Sequence, residues 1–167
     1  MRRLLAAGAL GIVTVALSAC GGSDGNSTSD EALQRNADIY AIGQIERDFH
    51  ESMSKKDIDQ MMGLWSRNAT FTFGPGRTAT GKGQIRAVWL TQTKAFKPET
   101  AWVSDHPAYK LRVTVNGDRG TLHFECHFID VKTEKVAAVT AADQDVARVD
   151  GRWLITNMVG STTELKP

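Results

Sequence analysis

Cysteine is scarce in this chain and cannot form a cysteine-rich site. The 167 residues contain only Cys20 and Cys126, too few for a zinc finger or a disulfide framework. Phe124 and Phe128 lie two residues away from Cys126 on either side, so the three side chains share one face of a β-strand. We expect Cys126 to be a buried, unreactive thiol.

An excess of charge of either sign is also absent. Lys and Arg together number 20 and Asp and Glu number 19, with no basic block. Charge therefore gives no reason to expect a nucleic-acid partner. The sequence also lacks a phosphate-binding glycine loop, a dinucleotide-binding fingerprint and a serine nucleophile elbow. We expect no cofactor and no metal site.

The N-terminal apolar run is too short to cross a membrane. It covers 14 residues, 4–17, whereas a membrane-spanning helix needs about 20. Basic residues precede the run and small residues follow it, which is the pattern of a secretory signal. We therefore assign residues 1–19 as a signal peptide.

The end of this signal, LSAC, resembles the lipobox of bacterial lipoproteins. The resemblance implies that Cys20 carries acyl chains such as palmitate, which are sufficient for stable anchoring when two or three are present. The polar residues up to position 30 predict a flexible tether. The alternative is an ordinary signal peptide cleaved near Ala19. We expect a bacterial cell-envelope protein, lipid-anchored to a membrane and facing the periplasm or the exterior.

Helices are predicted in the first half of the mature domain, residues 31–163. Apolar residues three or four apart predict a long helix that begins near Ser29 or Asp30 and ends near Met53. The segments KDIDQMMGLW and GKGQIRAVWLTQTKAF predict a second and a third helix. Between them, an alternating stretch broken by Gly74, Pro75 and Gly76 predicts a hairpin of short strands.

The second half of the domain has the period of β-strands. Turn signals at Asn116-Gly117 and Asp150-Gly151 separate consecutive strands. The four predicted strands cover residues 108–115, 121–131, 136–149 and 152–161. The element order predicts an α+β fold, in which three N-terminal helices pack on one curved antiparallel sheet.

Several segments in this order resemble the SnoaL-like branch of the nuclear transport factor 2-like (NTF2-like) superfamily. They are AIGQIERDFHESMSKKDIDQMMGLW, TGKGQIRAVW, VTVNGDRGTLHF and VARVDGRWLITNM. The resemblance implies a cone, in which the sheet wraps the helices and leaves an apolar pocket, and a homodimer formed through the outer sheet face. Relatives include cyclases, dehydratases, isomerases and noncatalytic binding domains, so the fold does not fix the function.

The resemblance also implies a role for His106, which is placed like a histidine that helps hold the catalytic water in the dehydratase branch. The alternative is a surface histidine before a proline. The tyrosine and aspartate of the dehydratases would fall near Met53 and Ser54, and their second histidine near Phe124. These residues cannot make the same proton transfers, so we do not expect dehydration by that mechanism.

Asp143 and Tyr40 are two further catalytic candidates. If Val139 and Ala141 face inward, Asp143 enters the apolar pocket, where desolvation would raise its pKa. A one-residue shift or a bulge would instead expose it. Tyr40 is the tyrosine placed to reach the pocket from the first helix. We expect His50 at the edge of that helix.

The pocket lining is predicted to be aromatic, which suits a small flat apolar ligand. The lining residues are Phe49, Trp65, Phe73, Trp89 and Phe124. We therefore expect a noncatalytic envelope lipoprotein that binds a small apolar ligand or a protein partner. The alternative is a cofactor-independent lyase or isomerase that uses His106, Asp143 and Tyr40.

His123, Glu125 and His127 alternate along one predicted strand. Histidines two apart on a strand can share a zinc ion. However, Phe124 and Cys126 must face the helices, so the three polar residues face away from the cone. We expect this outer face to be solvent-exposed or part of a dimer contact.

Overall fold

The computed structural model describes residues 24–104 and 108–165. Its helices are α1 (Asp24–Lys55), α2 (Ile58–Gly63) and α3 (Lys82–Gln92), with a 3₁₀ turn at Lys94–Phe96. Its strands are β1 (Trp65–Thr72), β2 (Thr78–Thr80), β3 (Trp102–Ser104), β4 (Lys110–Asn116), β5 (Arg119–Asp130), β6 (Lys135–Val149) and β7 (Arg152–Glu164). No helix within these ranges has the length and apolar character that a membrane crossing requires.

The strands form one sheet in the order β2-β1-β7-β6-β5-β3, with β4 also paired to β5. All neighbours are antiparallel except β1 and β7, which run parallel. The helices precede most of the sheet and cover its concave face. The predicted α+β cone is confirmed, and the parallel pair corrects the expectation of a wholly antiparallel sheet.

The two predicted turns join the long strands. Val149 pairs with Arg152 across Asp150 and Gly151, both of which have positive φ. This is the backbone of a type I′ turn, whose twist matches that of the strands it joins. Gly117 likewise has φ +56° between β4 and β5. These turns fix the registers of β4 with β5 and of β6 with β7, which pair Leu111 with Phe124 and Ala142 with Gly160.

The helix boundaries differ from the predicted ones. α1 begins at Asp24, so it extends into the segment predicted to be a tether. Residues 28–37 are exposed, and the buried stripe of the helix begins at Asp38. α2 ends at Gly63, because Trp65 already belongs to β1. The Asp57 carboxylate caps α2 by accepting hydrogen bonds from the backbone N–H groups of the next turn.

A buried ion pair ties α1 to the end of the sheet. Asp38 accepts hydrogen bonds from Arg148 at 2.6 Å, from the indole of Trp153 at 3.3 Å and from Gln34 at 3.0 Å. Desolvation by burial raises the pKa of Asp38, but these hydrogen bonds and the Arg148 charge outweigh it, so the pKa lies below its usual value. Arg148 also binds the exposed Asp118.

Candidate functional site

A cavity of about 230 Å³ lies between the helices and the concave face of the sheet. Six aromatic residues from both helices and strands belong to its wall: Phe49, Phe71, Phe73, Trp89, Trp102 and Phe128. Phe71 stacks on Trp89 with ring centres 5.0 Å apart, and Trp102 stacks on Phe128 at 5.5 Å. These two stacked pairs give the wall flat, rigid apolar surfaces.

Three charged residues belong to the wall: Arg77, Lys94 and Glu164. The Arg77 guanidinium lies 4.4 Å from the centre of the Phe73 ring and donates a hydrogen bond to Gln92. Lys94 pairs with Glu164 and lies 5.9 Å from the Trp102 ring. All three are exposed, so they lie toward the mouth, and the wall also contains uncharged polar residues, including the buried Thr140.

The structure separates the predicted lining residues into two groups. Phe49, Phe73 and Trp89 line the cavity. Trp65 and Phe124 lie outside its wall, in the core: Trp65 packs against Phe71, and Phe124 packs against Phe49. The sequence did not separate the two groups because both consist of inward-facing aromatic residues.

A second group of polar residues lies behind Phe49, away from the cavity wall. His50 is fully buried, which corrects its expected place at the edge of α1. Its Nε2 atom lies 2.9 Å from Cys126 Sγ, and its Nδ1 atom 2.8 Å from Ser104 Oγ. Glu46, one turn earlier on α1, is also buried and lies 3.5 Å from the same sulfur.

Asp143 lies on the outer face of the sheet, contrary to the strand orientation assumed for the prediction. Ala142 and Gln144 are buried on either side of it, whereas the Asp143 side chain is 78% exposed. Inward positions of β6 are therefore the even-numbered ones, including Thr140 and Val146. Asp143 does not enter the cone.

Tyr40 does not reach the cone either. It is 67% exposed on α1 and lines an open groove on the side that faces Leu111 and Val113 of β4. His106 and Cys20 lie outside the described residues, and their roles stay predictions. Ser54 accepts a hydrogen bond from the backbone N–H of Ser104.

The outer face of β5 carries the polar set as predicted. His123 Nδ1 lies 2.7 Å from Asp143 and Nε2 lies 3.3 Å from Glu125, so the carboxylates contact opposite ring nitrogens. Hydrogen bonds from Lys110 and Tyr109 lower the pKa of Glu125 to about 2. Because the two carboxylates do not converge on one nitrogen, this group has no shared position for a metal ion.

Three solved structures illustrate the likeness in fold. An NTF2-like protein with a cystatin-like fold from Novosphingobium aromaticivorans has a TM-score of 0.70 and 18% identity, and the match covers 84% of this chain and 91% of that one. An NTF2-like protein of unknown function from Pseudomonas putida has a TM-score of 0.66 and 17% identity, and the match covers 79% of this chain and 98% of that one. The hexachlorocyclohexane dehydrochlorinase LinA-type3 from Novosphingobium barchaimii has a TM-score of 0.65 and 17% identity, and the match covers 81% of this chain and 93% of that one.

No curated protein sequence matches this chain significantly. The SnoaL-like domain family matches residues 34–159. This range covers nearly the whole fold and all the cavity residues except those at the C-terminal end of β7, from Gly160 onward. The cone-shaped sheet, the helices that cover it and this match lead to one conclusion: the chain belongs to the SnoaL-like domain family and has an NTF2-like fold.

Proposed function

We propose that the protein is a lipid-anchored bacterial envelope protein whose SnoaL-like domain binds a small apolar ring compound in the cone. The observation that carries this proposal is the aromatic cavity of about 230 Å³, whose charged wall residues lie at the mouth. Ligand pockets commonly combine aromatic and other apolar residues with polar groups that orient the ligand.

The size of the cavity sets the class of ligand. A dry apolar cavity of about 150 Å³ is sufficient for benzene, so about 230 Å³ suits a molecule of one or two fused rings. The stacked pair of Phe71 and Trp89 forms a rigid aromatic part of the wall. Arg77 and Lys94 at the mouth outnumber Glu164, which favours an acidic substituent on the ring.

The anchor is proposed from the N-terminal sequence. The lipobox-like LSAC would place a lipid on Cys20, and residues 21–23 precede α1. A ligand-binding domain would then be held close to a membrane surface. Cys20→Ser should release the protein into the soluble fraction, whereas unchanged membrane fractionation would contradict the anchor.

A cofactor-independent lyase is the second candidate function. It is favoured by the shared fold with a protein named as a dehydrochlorinase. On this chain, however, Asp143 and Tyr40 lie outside the cone, and Ser54 stands where the dehydratase aspartate would fall. Of the predicted acid–base groups, only His106 is left for this mechanism.

The binding proposal is tested with 2-naphthoate as a probe, followed by the fluorescence of Trp89 and Trp102. We expect saturable binding by the full chain in mild detergent. Thr162→Trp, which puts an indole at the cavity, should weaken binding by at least about tenfold. Native mass spectrometry of protein from its own host would then identify the natural ligand.

Thr163→Trp is the matched control for that variant. Thr162 and Thr163 are neighbouring exposed residues of β7, but only Thr162 belongs to the cavity wall, because strand side chains alternate between faces. Binding by Thr163→Trp should equal that of the unmodified protein. Equal loss in both variants, or no saturable binding at all, would contradict the proposal. Turnover of the probe without stable binding would favour the enzyme.

We also propose that the domain forms a homodimer through the outer sheet face. This face carries the exposed Val159 beside Asp143, together with the stacked rings of Tyr109 and His127. Analytical ultracentrifugation should show a dimer, and a monomer at high micromolar concentration would overturn the proposal.

A further inference from the structure

Glu46, His50 and Cys126 bring three different donor atoms together in the core. Glu46 and His50 are four residues apart on α1 and so share one face of the helix, while Cys126 comes from the inner face of β5. Glu46 is 3% exposed, and His50 and Cys126 are fully buried. The carboxylate, imidazole and thiol converge within 4.8 Å of one another.

The distances between these donors are close to those of a metal coordination sphere. With metal–ligand bonds of about 2.0–2.3 Å and tetrahedral angles, donor atoms lie about 3.3–3.6 Å apart. Here Glu46 Oε1 lies 3.6 Å from His50 Nε2 and 3.5 Å from Cys126 Sγ. The contact between Nε2 and Sγ is 2.9 Å and would need to open slightly. Three protein ligands leave one coordination position for water or a further ligand.

The charges of the donors suit a divalent ion. A carboxylate and a thiolate together neutralise a dication, and the imidazole binds as a neutral ligand. The aromatic rings of Phe49, Phe124 and Phe128 surround His50, at ring-centre distances of 5.4, 4.8 and 6.5 Å. An ionised carboxylate is costly in such surroundings unless a charge of opposite sign accompanies it.

Ser104 fixes the orientation of the histidine ring. Its Oγ lies 2.8 Å from His50 Nδ1, where it can accept the Nδ1–H hydrogen and leave the Nε2 lone pair directed at the other donors. The Ser104 backbone N–H is in turn held by Ser54 Oγ at 3.0 Å. Metal-binding histidines are typically oriented by such a partner on the second nitrogen.

We propose that Glu46, His50 and Cys126 form a buried site for a divalent transition-metal ion of the zinc class. The mixed nitrogen, sulfur and oxygen donors suit zinc. They do not suit magnesium or calcium, which prefer oxygen ligands. The site is separate from the aromatic cavity and revises the expectation, from sequence, of no metal.

Cobalt is the probe, because Co²⁺ replaces zinc and absorbs light when bound to a thiolate. The full chain in mild detergent is unfolded in urea with reductant and refolded with Co²⁺, so that burial does not prevent uptake. We expect one equivalent to produce a thiolate-to-cobalt charge-transfer band that Zn²⁺ removes. Absence of the band after refolding would overturn the proposal.

The two cysteines provide a matched pair of variants. Cys20→Ser should keep the band, since Cys126 is then the only thiol in the chain. Cys126→Ser should abolish it and weaken zinc binding by at least about 100-fold. A band that persists in Cys126→Ser, or is lost in Cys20→Ser, would overturn the proposal. If Cys126→Ser does not fold, the Cys20→Ser result alone decides the assignment.

Ser104→Ala tests the positioning role. We expect about tenfold weaker zinc binding with an unchanged charge-transfer band, because the ligands stay the same while the ring is less well oriented. His123→Ala on the outer face is the control and should leave zinc affinity unchanged. Equal weakening by both variants would contradict the assigned site.

Discussion

The two faces of β5 carry histidine–carboxylate groups in opposite environments. On the inner face, His50 and Glu46 meet Cys126 in a site where each residue is at most 3% exposed. On the outer face, His123 meets Asp143 and Glu125, and the Asp143 side chain is 78% exposed. The residue types are similar, but the inner donors converge on one point and the outer ones contact opposite sides of a ring.

This comparison teaches that burial and convergence, rather than residue type, distinguish a candidate site from a polar surface. Water screens the outer group, so each of its contacts contributes little free energy. Aromatic rings enclose the inner group, so an unpaired donor or acceptor there is costly. Substitutions at matching positions on the two faces should therefore have unequal effects.

The largest difference is expected between His50→Ala and His123→Ala. His50→Ala removes a packed ring, the side chain that contacts the Ser104 hydroxyl, and one of the buried partners of the Cys126 thiol. We expect it to lower the free energy of unfolding by about 3–4 kcal/mol. His123→Ala should cost less than about 1 kcal/mol. Urea denaturation of both variants with a chelator present measures the two values, and equal losses would refute the difference in environment.

Asp38→Asn should produce the next largest effect, and one that depends on pH. Asp38 has a pKa below its usual value, so its stabilising contribution is present above about pH 4 and is lost as pH falls through the lower, folded-state pKa. At neutral pH we expect a loss of about 2 kcal/mol, since hydrogen bonds to a charged group are replaced. Measured by urea denaturation, the difference in free energy of unfolding between Asp38→Asn and the unmodified protein should approach zero toward pH 2.

Asp118→Asn is the control, because Asp118 binds the same arginine from an exposed position. It should cost less than about 1 kcal/mol at every pH. If Asp38→Asn lowers the free energy of unfolding by the same amount at every pH, the account of this ion pair is contradicted.

The smallest effect is expected on the outer face, at Glu125. Its carboxyl carbon should titrate with a midpoint of about 2 in an NMR experiment, because Lys110 and Tyr109 donate hydrogen bonds to the carboxylate. Lys110→Met should raise the midpoint toward 4.5, and His123→Ala should raise it less. A midpoint near 4.5 in the unmodified protein would show that these contacts do not persist in solution.

Much of the fold could be predicted from local signals. The Asn116-Gly117 and Asp150-Gly151 turns were recognisable because only a few residues tolerate their backbone angles. The alternation of β5 was recognisable because Leu122 and Phe124 have large apolar side chains on one face only. These signals fixed which side of β5 faces the helices.

The orientation of β6 could not be predicted in the same way. Its two faces have similar composition: Thr140 and Gln144 point inward, whereas Val139 and Ala141 lie on the other face. Because both faces carry small and polar residues, the alternation does not show which face of the strand is buried. The assignment of Asp143 to the cone failed for this reason.

The polar cluster in the core was missed for a different reason. Glu46 and His50 are four residues apart on α1, which is also the spacing of a solvent-exposed helix pair. The sequence did contain a signal of burial. Glu46 and His50 follow the buried Ile42 at intervals of four residues, so the three side chains lie on the same side of α1. Only the packing of α1 on β5 shows that Cys126 completes the group.

The central claim is that the inner side of the sheet, and the aromatic cavity in particular, is the functional side. A ¹⁵N NMR titration with 2-naphthoate tests it directly through the indole N–H signals. Trp89 and Trp102 belong to the cavity wall, whereas the Trp153 indole is held by Asp38 elsewhere in the fold. We predict saturable shifts for Trp89 and Trp102 and none for Trp153. Shifts confined to Trp153 or to outer-face residues such as His123 would contradict the account.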